Sequence, residues 1–251
     1  MKRIANILFL SVFGSLLCQG QMLLGPKIGV HAGKVKYDRE SYQQQLDPDL
    51  KLGYNAGLGI TFPVTEPVSL HIEVLGANKG KSINIPLESL KNTANYYYME
   101  MPIMMRYKIL PQEGIFVGIG PNLSYWLSGS GKISNIEETS EPIEYDISFT
   151  ADGGATSMVT PQSNRFQLGL LVSIGALLKA GEDRMLLAEI RLEMGHSHFA
   201  EPSGGTLESV EFFDNMESKH QLISFNLGYF WAIHKKSAKK RSHTFKAKQR
   251  K

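Results

Sequence analysis

The chain has 251 residues, of which 42% are hydrophobic and 20% are charged, with a formal net charge of +3 at pH 7. This composition excludes both a disordered polar chain and a bundle of membrane-spanning helices. Beyond residue 20, no stretch approaches the run of roughly 18 apolar residues that a spanning helix needs. The length suffices for one large all-β domain or two small domains.

The first residues have the pattern of a secretory signal peptide. A positively charged start is followed by the almost wholly apolar residues 4–17, and small residues then precede a cleavage position before Gln21. The sequence therefore predicts a signal peptide at 1–20 and export from the cytoplasm. Because Cys18 is the only cysteine, we expect the mature chain to contain no disulfide, no thiol nucleophile and no thiolate metal site.

Eight segments alternate apolar and polar side chains with the period of two that is typical of strands. They are long for a soluble domain, whose strands usually have about 5 or 6 residues, whereas a tilted membrane-spanning strand needs roughly 9 to 11. The predicted strands are 24–36, 53–63, 68–78, 96–110, 115–127, 165–178, 184–196 and 221–233.

The connections between these segments alternate strictly between short and long. The short ones are 64–67, 111–114 and 179–183, and the long ones are 37–52, 79–95, 128–164 and 197–220. Tight periplasmic turns and long extracellular loops are typical of outer-membrane barrels. We therefore predict an all-β domain at 21–233, an eight-stranded antiparallel up-and-down transmembrane β-barrel with both termini in the periplasm. A hairpin through 143–149 is expected to extend the barrel beyond the membrane.

The segment NYYYMEMPIMMRYKIL at 95–110 shows the expected division between the two faces of such a strand. Met99 and Ile103 fall on one face, while Glu100 and Arg106 fall on the other. In lipid every backbone polar group must be paired within the protein, so strands persist there only in a closed barrel. The apolar face is then expected to contact hydrocarbon, and the polar face to line the lumen.

Charged residues on the inward face are expected to cluster inside the barrel. The predicted lumen cluster consists of Glu73, Glu100, Arg106, Glu189, Arg191 and Glu193, with His71 beside Glu73 and Lys108 beside Glu100 and Arg106. The interior of an eight-stranded barrel is filled by side chains, and an isolated buried charge is very costly. We expect a structural salt-bridge core. A proton or ion path is the alternative role.

The C-terminal segment differs sharply in charge from the rest of the mature chain. Residues 234–251 contain nine lysines and arginines and no acid, which leaves about −8 for residues 21–233. The sequence predicts a disordered periplasmic tail. The cations between Lys235 and Lys251 are also suited to tether the protein to an anionic lipid surface, the cell wall or an acidic envelope protein. Nucleic acid is not expected as a partner of an exported chain.

Several motifs together resemble a known family. GPKIGVHAG after the signal peptide, YNAGLGI, LHIEVLGANKGKS, YYYMEMPIMMRY and FVGIGPNLSYWL are similar, in order and spacing, to the strands of PorT-like outer-membrane β-barrel proteins of Bacteroidetes. The resemblance covers most of residues 25–233. It implies a small porin-family barrel in the cell outer membrane. The long third outer loop and the basic tail depart from the family pattern.

Histidines near the outer end of the seventh strand raise the question of catalysis. His196, Ser197 and His198, with Glu201 close by, could serve acyl transfer in an enzyme that modifies lipid A. Two of these histidines together with His220 could bind a metal, but the sequence offers no supporting carboxylate pattern. We therefore expect no enzyme activity, no catalytic residue, no cofactor and no metal.

The expected function is a structural or interaction role in the cell outer membrane, exerted through the outer loops and the basic tail, with outer-membrane lipid as the surrounding partner. Two alternatives remain: an accessory component of a transport or protein-secretion machine, and a lipid A-modifying enzyme. A soluble lipocalin-like barrel is the rival fold, and it requires the apolar side chains to face inward.

Overall fold

The computed structural model describes residues 21–38, 45–110, 114–135, 141–154, 156–200, 205–208, 212–214 and 216–233. The predicted signal peptide at 1–20, the basic tail at 234–251 and Glu201 lie outside this part of the chain. Within it, no helix combines the length and the hydropathy that crossing a membrane requires.

Thirteen β-strands account for most of the described chain. Eight of them are long, with 12 to 21 residues: β1 (Met22–Tyr37), β3 (Lys51–Pro63), β4 (Val68–Ile85), β5 (Leu90–Leu110), β6 (Ile115–Asn135), β9 (Phe166–Lys179), β10 (Arg184–Gly195) and β13 (Ser218–Ile233). Five are short: β2 (Asp47–Asp49), β7 (Ile143–Ser148), β8 (Ser157–Val159), β11 (Gly205–Leu207) and β12 (Phe212–Asp214). A 3-10 helix, Pro86–Glu88, connects β4 to β5.

The long strands pair in an antiparallel manner, each with the preceding and the following long strand. The first long strand also pairs with the last, from Met22 opposite Ile233 to Tyr37 opposite Ser218. The sequence of pairings therefore returns to β1. Every long strand has a neighbour on both sides, which is what the backbone requires in hydrocarbon.

The strand count differs from the predicted eight because the outer loops form strands of their own. β2 pairs with β4, β7 pairs with β6, and β8 pairs with both β7 and β11. The predicted bounds of the long strands agree with the structure to within two residues at the periplasmic ends. At the outer ends, β4 and β6 continue seven and eight residues further, to Ile85 and Asn135.

Alternate side chains of the long strands are exposed and apolar. On β5, Met99, Met105 and Tyr107 are 54%, 48% and 53% exposed, whereas the intervening Glu100 and Arg106 are buried. The same alternation along the other long strands produces a band of exposed apolar side chains around the outer wall, here called the lipid belt. On β5 it extends from Tyr97 to Ile109. The soluble lipocalin-like alternative requires the opposite arrangement, so the observed burial argues against it.

Replacing Ile190 with arginine tests whether the belt contacts hydrocarbon. Ile190 is half exposed near the middle of β10. We expect Ile190→Arg to lower the free energy of unfolding in phospholipid vesicles by about 2–4 kcal/mol, because a cation near the bilayer midplane is costly. Leu186→Arg, on the same face four residues nearer the periplasmic end, is the matched control and should cost only about 0–1 kcal/mol. Equal effects in denaturant titrations would contradict the assignment of this face to lipid.

Candidate functional site: the charged interior of the barrel

Side chains from strands on different sides of the ring meet in the middle of the barrel. Nζ of Lys27 on β1 donates to Glu73 Oε1 on β4 at 2.7 Å and to Glu189 Oε2 on β10 at 2.8 Å. All three side chains are fully buried. A lysine placed between two carboxylates removes most of the cost of burying each charge alone.

Two arginines complete the contacts of the same carboxylates. Arg191 donates from Nη1 and Nη2 to the two oxygens of Glu73, at 2.9 and 3.0 Å, and its Nη2 also donates to Glu189 at 2.8 Å. Nη2 of Arg106 donates to Glu189 Oε1 at 3.0 Å, and its guanidinium lies 4.5 Å from the ring centroid of Phe116. Forked contacts of this kind fix both distance and orientation.

A histidine connects this network to the barrel wall. His71 Nε2 lies 2.7 Å from Glu73 Oε1, and its Nδ1 lies 2.7 Å from Thr61 Oγ1. The six side chains Lys27, His71, Glu73, Arg106, Glu189 and Arg191 form what we call the inner charged layer.

A second group of charges lies nearer the extracellular side. Lys79 on β4 forms salt bridges with Glu100 on β5 and with Glu193 on β10, the latter at 2.6 Å. Asn122 Nδ2 donates to Glu193 at 3.1 Å, and Ser124 Oγ donates to Glu100 at 3.2 Å. Lys79, Glu100 and Glu193, with these two polar side chains, form the outer charged layer.

All six residues of the predicted lumen cluster point into the interior, but they divide between the two layers. Glu100 and Arg106 belong to different layers, because six residues along a strand correspond to roughly 20 Å. Lys108 belongs to neither layer and lines a cavity at the periplasmic end.

Two lysines of the site were missed by the sequence analysis. Lys27 lies an even number of residues from Gly25 and His31, so all three fall on the inward face of β1. The alternation of that strand could therefore have predicted that Lys27 points into the lumen. Lys79 lies one residue beyond the predicted end of its strand. Without Lys27 and Lys79, the predicted cluster had four carboxylates and only two guanidinium groups.

Packed apolar side chains lie at both ends of the charged layers. At the periplasmic end, Phe116, Leu187 and Phe230 form a buried cluster. At the outer end, the ring of Phe199 packs 4.5 Å from that of His220 and 5.3 Å from that of Tyr96. Trp126 is fully buried in the same group.

A further polar contact lies beyond these rings, among the outer strands. Lys81 Nζ lies 2.5 Å from Asp214 Oδ2, and Asn92 Nδ2 donates to the same oxygen at 3.1 Å. The hydroxyl of Tyr145 donates to Asn92 Oδ1 at 2.7 Å. Burial, reinforced by the nearby carboxylate, raises the pKa of the Tyr145 phenol.

The residues considered for catalysis have separate partners. Ser197 Oγ accepts a hydrogen bond from the backbone N–H of Leu168 at 2.9 Å. His198 Nε2 lies 2.8 Å from Asp38 Oδ2, and Lys219 donates to the same oxygen at 2.6 Å. Hydrogen bonds from Lys219 and His198 hold the pKa of the Asp38 carboxyl below its usual value.

The histidines considered for a metal site are also separated. His220 is buried among aromatic rings, whereas His198 is on the exposed side of the same region. Within the described ranges, no group of three or more His, Cys, Asp or Glu side chains is arranged to hold a metal ion.

Glu73→Gln tests the role of the inner charged layer. The substitution keeps the size of the side chain but removes the charge that partners Lys27 and Arg191. We expect the free energy of unfolding to fall by about 3–5 kcal/mol, because the three buried cations of the inner charged layer would then share a single carboxylate, Glu189. Denaturant titration in detergent or vesicles measures the change. Glu182→Gln, on an exposed turn, is the control and should leave the midpoint unchanged; equal midpoints for both variants would exclude a stabilising role for Glu73.

Comparison with known proteins identifies the family. The family described as Outer membrane protein beta-barrel domain matches residues 18–200. No curated protein matches the sequence.

Among the solved structures that resemble this chain, the outer membrane protein OprG superimposes with a TM-score above 0.5, and two others, Ail and OmpT, score below that value. OprG from Pseudomonas aeruginosa superimposes with a TM-score of 0.52 over 86% of this chain and 97% of its own, at 10% identity. Ail of Yersinia pestis gives a TM-score of 0.36 over 85% of this chain and all of its own, at 12% identity. The outer membrane protease OmpT from Escherichia coli gives 0.39 over 86% of this chain and 98% of its own, at 8% identity. At these identities the likeness concerns the fold alone. Because the family match covers well over half of the chain, this protein belongs to the outer membrane protein β-barrel domain family and is a small β-barrel protein of the outer membrane.

Proposed function

We propose that the eight long strands form a closed, non-conducting barrel whose role is to hold a folded binding surface on the outside of the outer membrane. The observation that carries this proposal is the succession of side-chain groups that cross the interior. Four successive groups of side chains cross the lumen: the periplasmic apolar cluster, the inner charged layer, the outer charged layer and the aromatic rings.

The charged layers themselves argue against a route for ions. The oxygens of Glu73 and Glu189 accept hydrogen bonds from lysine and arginine donors at 2.7–3.0 Å. An ion that passed through would have to displace these contacts, and each broken charge pair in a buried site is costly. An eight-stranded barrel has room for its own side chains and no aqueous channel.

The outer part of the molecule has the character of a binding surface. β4, β5 and β6 continue beyond the lipid belt. The short strand β7 pairs with β6, and β8, β11 and β12 extend the sheet outward from β7 in that order. Met158, Leu207, Phe212 and Met216 are buried there in a hydrophobic core. A packed core holds exposed loop side chains in fixed positions, which favours recognition of another molecule.

A non-enzymatic role is part of this proposal. Ser197 and His198 support it, because the hydroxyl of one accepts a backbone hydrogen bond and the ring of the other pairs with Asp38. Within the family, we also propose the PorT-like assignment, which rests on the order and spacing of the strand motifs. An accessory role in secretion or transport is compatible with a filled barrel that binds partners.

Conductance in planar bilayers tests the central proposal. We expect the purified full-length protein to give no stepwise current at low or high salt, because four successive groups of side chains block its lumen. A general porin inserted under the same conditions provides the positive control. Regular current steps that depend on the amount of this protein would contradict the proposal.

The basic tail is proposed to bind an anionic surface on the periplasmic side. We expect the full chain in lipid nanodiscs to co-sediment with vesicles that contain anionic phospholipid at low salt, and to be released as salt increases, because exposed charges are screened. A chain that ends at residue 233 should remain in the supernatant. If both chains sediment equally, the tail is not the tether.

A further inference from the structure

A polar cleft lies on the outside wall of the barrel, away from the charged interior. It has a volume of about 440 Å³ and is lined by side chains of β3, β5, β6 and β7, among them Lys51, Thr93, Asn95, Ser130, Lys132 and Asp146. We call it the headgroup cleft.

The cleft begins where the lipid belt ends. On β5, Tyr97 is the last large exposed apolar residue, and Asn95 and Thr93 follow it on the same face. On β6, Leu127 is the last apolar residue of the belt. Beside it the register of the β5–β6 pairing shifts by one residue, between Tyr97 and Tyr98 of β5. Aromatic residues mark the membrane–water interface in such proteins. The cleft therefore lies at the level of the lipid headgroups of the outer leaflet.

A glycine allows one of the lysines to reach the cleft across a neighbouring strand. The Cγ atom of Lys51 lies only 3.3 Å from the position that a Cβ atom would occupy at Gly80, and Gly80 is opposite Asn95 in the β4–β5 ladder. The stem of Lys51 thus crosses β4 and brings its ammonium towards the polar side chains of β5 and β6.

Among the described residues, neither Lys51 nor Lys132 has a carboxylate within salt-bridge distance. By contrast, Lys27, Lys79 and Lys81 are each paired with a carboxylate. Two unpaired ammonium groups that face one cavity favour an anion.

The remaining lining groups favour a ligand that also carries hydroxyls. Glu144 is directly opposite Lys132 in the β6–β7 ladder, and Asp146 is opposite Ser130. Carboxylates accept hydrogen bonds from hydroxyl groups, and the side chains of Thr93 and Asn95 both donate and accept. A phosphate group for the lysines and sugar hydroxyls for the acceptors match this mixture of charges.

We propose that the headgroup cleft binds a phosphorylated saccharide, and that the saccharide is the headgroup of a glycolipid in the outer leaflet. The position of the cleft favours a lipid over a free sugar phosphate. Acyl chains attached to a bound headgroup would continue down the exposed wall below it, over Tyr97 and Leu127.

The test compares two double variants of the full-length protein in detergent. The first, Lys51→Gln with Lys132→Gln, removes both cations of the cleft. The second, Lys34→Gln with Lys36→Gln, removes two exposed lysines from the outer part of β1, where they do not line the cleft. The probe is rough-type lipopolysaccharide with phosphorylated lipid A, and the same material after removal of its phosphates. Binding is measured by calorimetry, and retained glycolipid is counted by native mass spectrometry.

We expect the cleft variant to bind the phosphorylated probe about tenfold to thirtyfold more weakly than the wild type, and the β1 variant to bind it almost as well as the wild type. Removal of the phosphates should weaken binding to the wild type by a similar factor. Equal losses in the two double variants, or no effect of dephosphorylation, would overturn the proposal. Free glucosamine phosphate that binds as tightly as the glycolipid would overturn the assignment to a lipid. Thermal unfolding of each variant, expected to match that of the wild type, excludes misfolding as the cause.

Discussion

Glu73 occupies the interior of a barrel in a membrane, where an unpaired carboxylate would be very costly. Its oxygens are met by Lys27 from β1, by Arg191 from β10 and by the His71 ring on its own strand. These contacts connect β1, β4 and β10 at Glu73. They therefore fix how far each strand is shifted along the barrel axis, in addition to which strands are neighbours. The wall next to this point is kept clear by a glycine: a Cβ atom at Gly59 would lie 3.1 Å from the His71 ring.

The two ends of the barrel differ because the strands end at different distances from the lipid belt. At the periplasmic end the strands stop close to the lipid belt, and only a small apolar cluster packs inside the barrel. At the outer end the strands continue, so that the loops can pack on their extensions and bury a core of their own. Charged and polar groups outside that core remain accessible to molecules above the membrane.

Much of the fold could be predicted from the alternation of side chains. The periplasmic ends of the long strands were correct because proline and glycine turns interrupt the pattern there, at 64–67 for example. The outer ends were placed too early. Beyond Asn78 and Leu127 most residues of β4 and β6 are polar or glycine, and Ile83, Ile85 and Ile133 are the apolar exceptions. The outward face no longer contacts lipid there, so the contrast between the two faces that marks a strand is weak.

The interior charges were only partly predictable. The inward direction of Glu73, Glu189 and Arg191 follows from their place between apolar neighbours on the same strand. Which charges meet depends on the stagger between strands on opposite sides of the ring, and a single strand pattern contains no information about that stagger. For this reason the pairing of Glu100 with Lys79, and the division into two layers, required the structure.

The separation of Lys27 and Glu189 along the chain has a consequence for biogenesis. These partners are 162 residues apart, so the lysine is translated long before its carboxylates are all available. A strand that entered hydrocarbon alone would expose its charges to lipid. The charges of the inner layer are therefore all paired only once the N-terminal and C-terminal segments have come together, so strands inserted one after another would cost more free energy than strands inserted already assembled.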